Sequence, residues 1–219
     1  MMDREKWRAF FKEFIDTAVF VIVGVIIIRF FIAELRFIPS GSMLPTLVGN
    51  ENFFKGDRIV VEKITKYPQI FSEFRFGNKP KRGDVMVFYP PRTHLNNDLF
   101  SLFKRLTGFW CNDVAYIKRV IGLPGEKFEI KKEANGAHYV YINDKRLEES
   151  YIMSEFDYTN CTDNMYCGPF IIPEKQYFMM GDNRAHSEDS RFWGTLSEER
   201  FIGRAVFVIL PLSRMGLIN

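Results

Sequence analysis

Ser42 lies in the segment Ile38-Pro39-Ser40-Gly41-Ser42-Met43-Leu44-Pro45-Thr46. Pro39 and Pro45 restrict the backbone on both sides of it, since proline fixes its own φ and limits the residue before it. Gly41 lets another chain approach closely. A serine held on a stiff turn beside a glycine suits a nucleophile, although the same residues also make a plain turn. A serine nucleophile needs a base. Of the 3 histidines, His94 lies in a polar insert and His138 just past a turn, so both read as solvated. His186 lies in Gly181-Asp182-Asn183-Arg184-Ala185-His186-Ser187-Glu188-Asp189-Ser190-Arg191. The plain reading of that loop is a hydrogen-bonded turn in which Asp182 and Asp189 pair with Arg184 and Arg191. The other candidate base is Lys118, in Tyr116-Ile117-Lys118-Arg119-Val120-Ile121-Gly122. Alternate residues of a strand share a face, so Lys118 goes with Tyr116 and Val120. Apolar neighbours lower a lysine's pKa by desolvation, and a neutral amine can take a serine proton. An exposed strand lysine is the plain alternative.

These side chains must be positioned by β structure. Runs rich in Val, Ile, Phe and Tyr occupy 58–62, 84–89, 114–121, 127–130, 139–142, 176–180 and 204–210, punctuated by Gly, Pro, Asn and Asp. Such spacing predicts an all-β domain. Asn135-Gly136 and Asn143-Asp144 read as tight hairpin turns, because both pairs tolerate positive φ. One segment, 99–110, repeats its apolar residues at helical spacing and predicts a short amphipathic helix inside the insert 92–113.

The ends and the composition narrow the class. The chain has 219 residues with a net charge of +3, which is no concentrated basic surface and no case for nucleic acid. Its 3 cysteines make no multi-bridge framework and no C-x-x-C zinc pair. Thr17 to Ile28 is free of charge, and after Arg29 the run resumes to Ala33. This predicts an uncleaved membrane anchor over 16–33, near the lower length limit for a spanning helix. A cleaved leader or a buried core helix are the alternatives, and Arg29-Phe30-Phe31 gives no small-x-small cleavage site. Arg4, Lys6, Arg8 and Lys12 precede the span, while Arg29 and Arg36 follow closely. The positive-inside rule then puts residues 1–15 in the cytoplasm and 34–219 outside. On that outer side Cys161 and Cys167 are expected to form a disulfide, leaving Cys111 over.

Taken together, the motifs resemble those of bacterial type I signal peptidases, the leader peptidases, which use a Ser–Lys dyad. The match runs in order through Pro39-Ser40-Gly41-Ser42-Met43 with Pro45-Thr46, Gly56-Asp57 with Val60-Val61-Glu62-Lys63, and Lys81-Arg82-Gly83-Asp84-Val85. It continues through Tyr116-Ile117-Lys118-Arg119-Val120-Ile121-Gly122-Leu123-Pro124-Gly125-Glu126, Tyr177-Phe178-Met179-Met180-Gly181-Asp182-Asn183-Arg184 and Ser187-Glu188-Asp189-Ser190-Arg191.

The resemblance implies a mainly β fold of coiled antiparallel sheet, kin to the self-cleaving repressors and preceded by one transmembrane helix. It implies removal of signal peptides from exported proteins after small residues at −1 and −3. Ser42 would be the nucleophile and Lys118 the general base. The Ser42 N–H and Ser40 hydroxyl would form the oxyanion hole. Ser187 would orient the Lys118 amine, while Asp182, Asp189 and Arg191 would hold the loop. Ile38, Met43, Tyr116 and Ile117 would line the substrate pockets. No metal or organic cofactor is implied. Precursor proteins, membrane lipid and the export machinery would be the partners, at the bacterial inner membrane with the catalytic domain on the periplasmic side. Ala185-His186 departs from the Asp-Asn common in the family, the insert is long, and the second β lobe over 131–170 is short. Two other readings are a specialised processing peptidase with few substrates and a catalytically silent membrane-anchored domain that binds exported proteins. For the helix of 99–110, a membrane surface and the β core are both open as partners.

Overall fold

A computed structural model describes residues 4–52, 55–63, 79–93, 115–152, 161–162 and 165–218. The expected helix of 99–110 lies outside the described residues.

The chain begins with helix α1 (Arg4–Ile27), followed by a π-helical turn (Ile28–Ile32). Ala33 is already the first residue of strand β1 (Ala33–Phe37). The helix therefore starts and stops earlier than the expected 16–33. Its first half carries Arg4, Arg8, Lys12, Glu13 and Asp16, and only its second half is free of charge. No helix of the described residues is long and apolar enough to cross a membrane.

The remaining strands are β2 (Arg58–Glu62), β3 (Val85–Phe88), β4 (Tyr116–Gly122), β5 (Lys127–Lys132), β6 (His138–Ile142) and β7 (Lys145–Arg146). They continue with β8 (Phe170–Ile171), β9 (Gln176–Met180), β10 (Leu196–Ser197), β11 (Phe201–Leu210) and β12 (Gly216–Leu217). The larger sheet has the order β1-β2-β11-β3-β4-β9-β10, with β12 also on β11. Its pairs are antiparallel, and β11 shifts register against both β2 and β3. Such bulges bend a strand and increase its twist, which coils the sheet around its core.

The smaller sheet has the order β7-β6-β5-β8 and runs from Lys127 to Ile171, where the sequence suggested a second lobe over 131–170. Its two hairpins use the predicted turns. Gly136 has φ +84°, and Asn143 and Asp144 have φ 50° and 64°, the two successive positive values of a two-residue hairpin loop. Cys161 and Cys167 form the expected disulfide, with Cα atoms 6.0 Å apart.

One apolar core joins the site to this frame. Ile38 and Met43, from the segment after β1, pack with Leu47, Ile59, Val61, Val87 and Ile117. Met43 is fully buried. Burying a side chain of that size is worth about 1.5–3 kcal/mol, so its neighbour Ser42 is pulled onto the sheet.

Candidate active site

Ser42 sits in a short 3-10 turn, Gly41–Met43, directly after β1. Two bonds from Asn183 clamp that turn: its N–H donates to Ser42 O at 3.1 Å and its Nδ2 to Gly41 O at 3.1 Å. Gly181 lies against the same point. A Cβ there would stand 2.5 Å from Ser42 O and 2.3 Å from Ser187 Oγ, so only glycine allows this approach.

Lys118 comes from the centre of the sheet, on β4 opposite Met86 of β3. Its side chain is buried, and Nζ donates to Ser42 Oγ at 2.8 Å and to Ile117 O at 3.0 Å. Burial pushes the amine down to about 8, against the pull of Asp189, Glu188 and Asp182 in the other direction. The geometry and the lowered pKa together describe an amine able to accept a serine proton. Tyr116 is on the same side as expected, its ring centroid 5.5 Å from Lys118 Nζ. Ser40 Oγ is 3.5 Å from Ser42 Oγ.

Ser187 is buried beside the dyad, yet among the described residues its Oγ has no hydrogen-bond partner. The orienting bond expected from Ser187 is not made here; the amine bonds Ile117 O instead.

The supporting charges are paired differently from the simple loop pairing. Asp189 does take Arg191, at 2.8 and 2.9 Å, and also accepts from Gly181 N–H at 3.1 Å. Asp182, however, is bidentate with Arg119, at 2.8 and 2.7 Å, and Arg184 goes to Glu149. Thr46 Oγ1 donates to Asp182 Oδ2 at 2.6 Å. Arg119 is next to Lys118, Thr46 follows the Ser42 turn, and Asp182 precedes Asn183. The buried Arg119–Asp182 pair thus joins the three segments that carry the site. Thr46, Arg119, Glu149 and Asn183 were not identified from sequence. The alternation of strand faces placed Arg119 opposite Lys118, but its partner is 63 residues away and has no local signal.

A cleft of about 520 Å³ opens over the dyad. Ile38, Ser40, Ser42, Tyr116, Ile117 and Lys118 line it, as do His186 and Glu188. Met43 does not; it faces the core beneath, because the turn directs it inward. His186 is exposed at the rim, while Ser42 Oγ bonds Lys118 Nζ. Among the described residues no group of three or more His, Cys, Asp or Glu side chains is placed to hold a metal ion.

The family model described as "Signal peptidase, peptidase S26" matches residues 11–210. The chain belongs to this family. It is thereby a signal peptidase, a peptidase and hydrolase. A "Signal peptidase I" of Leptolyngbya laminosa is 41% identical over 189 residues, 86% of this chain and 74% of that protein. A "Probable signal peptidase I-1" of a Synechocystis species is 38% identical over 214 residues, 97% of this chain and 89% of that protein. A solved signal peptidase I from Enterococcus faecalis V583 is 30% identical and has a TM-score of 0.38, covering 58% of this chain and 97% of its own.

Proposed function

We propose that this S26 peptidase removes signal peptides from exported precursor proteins by a Ser42–Lys118 dyad. The observation that carries the reading is the 2.8 Å contact between a buried lysine amine and a serine hydroxyl in an open cleft. In the attacking step, neutral Lys118 takes the Ser42 proton as Oγ bonds the scissile carbonyl carbon. The same proton then passes to the leaving amine, and an acyl-enzyme remains on Ser42. Water activated by Lys118 frees the signal peptide in the second half. The Ser42 N–H and the Ser40 hydroxyl hold the oxyanion, each donor being worth about 2.7–4 kcal/mol in such sites. The lining by Ile38, Tyr116 and Ile117 is uncharged and suits small residues at −1 and −3.

Attachment to the bilayer rests on α1. Val19, Phe20, Val21, Ile22, Val23, Val25, Ile26 and Ile27 are all exposed, on every side of the helix. An all-round apolar helix surface is stable only when covered by lipid or protein. Residues 17–32, the helix end with its π turn, reach about 24 Å at ~1.5 Å per residue. Lipid deformation and the snorkelling of Arg29 would cover the difference from a ~30 Å hydrocarbon core. The N-terminus would be cytoplasmic and the catalytic domain extracytoplasmic, where the export machinery delivers precursors.

The test is incubation of the full chain, reconstituted in vesicles, with a precursor carrying an Ala-x-Ala site. The mature N-terminus should appear immediately after that site, and Ser42→Ala should abolish the product. Retained cleavage by Ser42→Ala, or cleavage after a large residue at −1, would overturn the reading.

A further inference from the structure

The junction between α1 and the cleft holds a buried charge cluster that the dyad does not use. Glu34 and Lys63 are each only 5% exposed. Lys63 Nζ lies 2.6 Å from Glu34 Oε2 and donates to Arg29 O at 3.0 Å, inside the π-helical turn. The other carboxylate oxygen, Glu34 Oε1, accepts from Arg36 Nε at 2.5 Å. Arg36, Phe37 and Ile38 line the cleft. Lys63 N–H also donates to Ile32 O at 2.8 Å, so the β1–β2 pairing is extended into the turn. Arg36 and Lys63 hold the Glu34 carboxyl below its ordinary value even though burial opposes this.

We infer that Lys63 and Glu34 are positioning residues that fix the cleft relative to the membrane-bound helix, a role that rests on the membrane reading above. The links are contiguous: the last helical carbonyls, Lys63, Glu34, Arg36, then the cleft wall. A lysine ammonium beside carbonyls at a helix end is electrostatically favourable, because the helix dipole is negative there. Two buried charges are a poor source of stability by themselves, since desolvation offsets their attraction. They are a good source of geometry, since Glu34 on β1 holds the Lys63 amine in place and any change in helix angle pulls Arg29 O away from it. A precursor is itself held by the membrane, so its scissile bond meets Ser42 only if the cleft stands at the right height. A soluble peptide has no such constraint.

The experiment compares the full chain with Lys63→Met, Glu34→Gln and the double variant, all in vesicles. Each is given a membrane-inserted precursor and, separately, a soluble peptide containing the same Ala-x-Ala site. Each single variant should lose about tenfold or more in kcat/KM on the precursor, in keeping with the cost of small misplacements. On the peptide it should stay within about twofold of the unmodified chain. The double variant should regain the melting temperature lost by Lys63→Met, because no buried carboxylate remains without its lysine and Arg36 is partly exposed, yet still fail on the precursor. Equal losses on both substrates would mean that the cluster merely supports the fold, and the inference would be wrong. Unchanged precursor cleavage, or its recovery in the double variant, would overturn it too. If the unmodified chain cut neither substrate, the proposed function would fail, an outcome distinct from any of these.

Discussion

In the proposed mechanism Lys118 decides the chemistry, because its amine is usable only when neutral. With burial holding it at about 8, roughly a tenth of the amines are deprotonated one pH unit below that value. We expect kcat/KM to rise about tenfold per pH unit below pH 8 and to level off above it. Loss of turnover in His186→Ala would instead point to His186 as base. Lys118→Arg should be inactive, since guanidinium keeps its proton, with a loss of at least about 10⁴-fold. His186→Ala should retain turnover, because His186 is exposed at the rim and the Ser42 hydroxyl is engaged by Lys118.

The same residue has a stability signature whose sign is fixed. Its folded pKa is lowered, so between about pH 8 and the unfolded value of about 10.4 the unfolded chain binds the proton and the folded one does not. Stability from this group therefore rises with pH across that window. Below pH 8 both states are protonated and the cost of burial is constant, roughly 3 kcal/mol. Lys118→Met should be inactive yet melt no lower than the unmodified chain at pH 7. A clear fall in melting temperature would contradict a buried, penalised amine.

At the scale of elements, three segments meet at the dyad: the turn after β1, strand β4, and the loop that follows β9. Arg119, Asp182 and Thr46 tie them together. Asp182→Asn would leave the buried guanidinium with a neutral partner. We expect a destabilisation of roughly 3–5 kcal/mol, as for a broken buried pair, together with a fall in kcat. Thr46→Val, which removes one bond to the carboxylate, should cost roughly 1–3 kcal/mol. Urea unfolding of the two variants would check the order, and a Thr46→Val effect as large as Asp182→Asn would contradict it. The same elements show what the sequence made legible. Strands β2 and β9 match the predicted limits, since a contiguous β-branched run in one and a contiguous aromatic and Met run in the other are bounded by Gly, Pro and charges. Ser42 and Lys118 were legible as motif residues. Strand β1, in contrast, was hidden because Ala33-Glu34-Leu35-Arg36-Phe37 is short, follows directly on the apolar run, and inverts the usual alternation, with Glu34 buried and Leu35 exposed; its strand character comes from pairing with β2. The two-residue strands β7, β8, β10 and β12 are too short to carry a pattern. The partners of Arg119 and Arg184 were hidden because ion pairs over long separations leave no periodic trace.

On the scale of the whole molecule, the proposed function asks that two surfaces be satisfied together: an apolar helix end that nothing in the described chain covers, and a polar-rimmed cleft that would meet substrate at the bilayer. On the proposed membrane reading, the basic residues set which way the helix end enters. Arg4, Lys6, Arg8 and Lys12 lie within one flank, against Arg29 and Arg36 on the other. The acidic residues among them count for little, because the rule depends on Lys and Arg near the ends of the span. Replacing Arg4, Lys6, Arg8 and Lys12 together by Gln leaves the excess on the catalytic side. Retention of the N-terminus in the cytoplasm should then weaken, and part of the population should present its catalytic domain to the cytoplasm. That fraction would resist a protease added outside spheroplasts, whereas the unmodified domain would be digested or shifted in size. The substitutions touch no residue of the cleft, so the fraction still facing outward should cleave a soluble peptide normally. Complete outward placement of the four-fold variant would show that the flank charges do not set the orientation, and that the folded domain or a partner does.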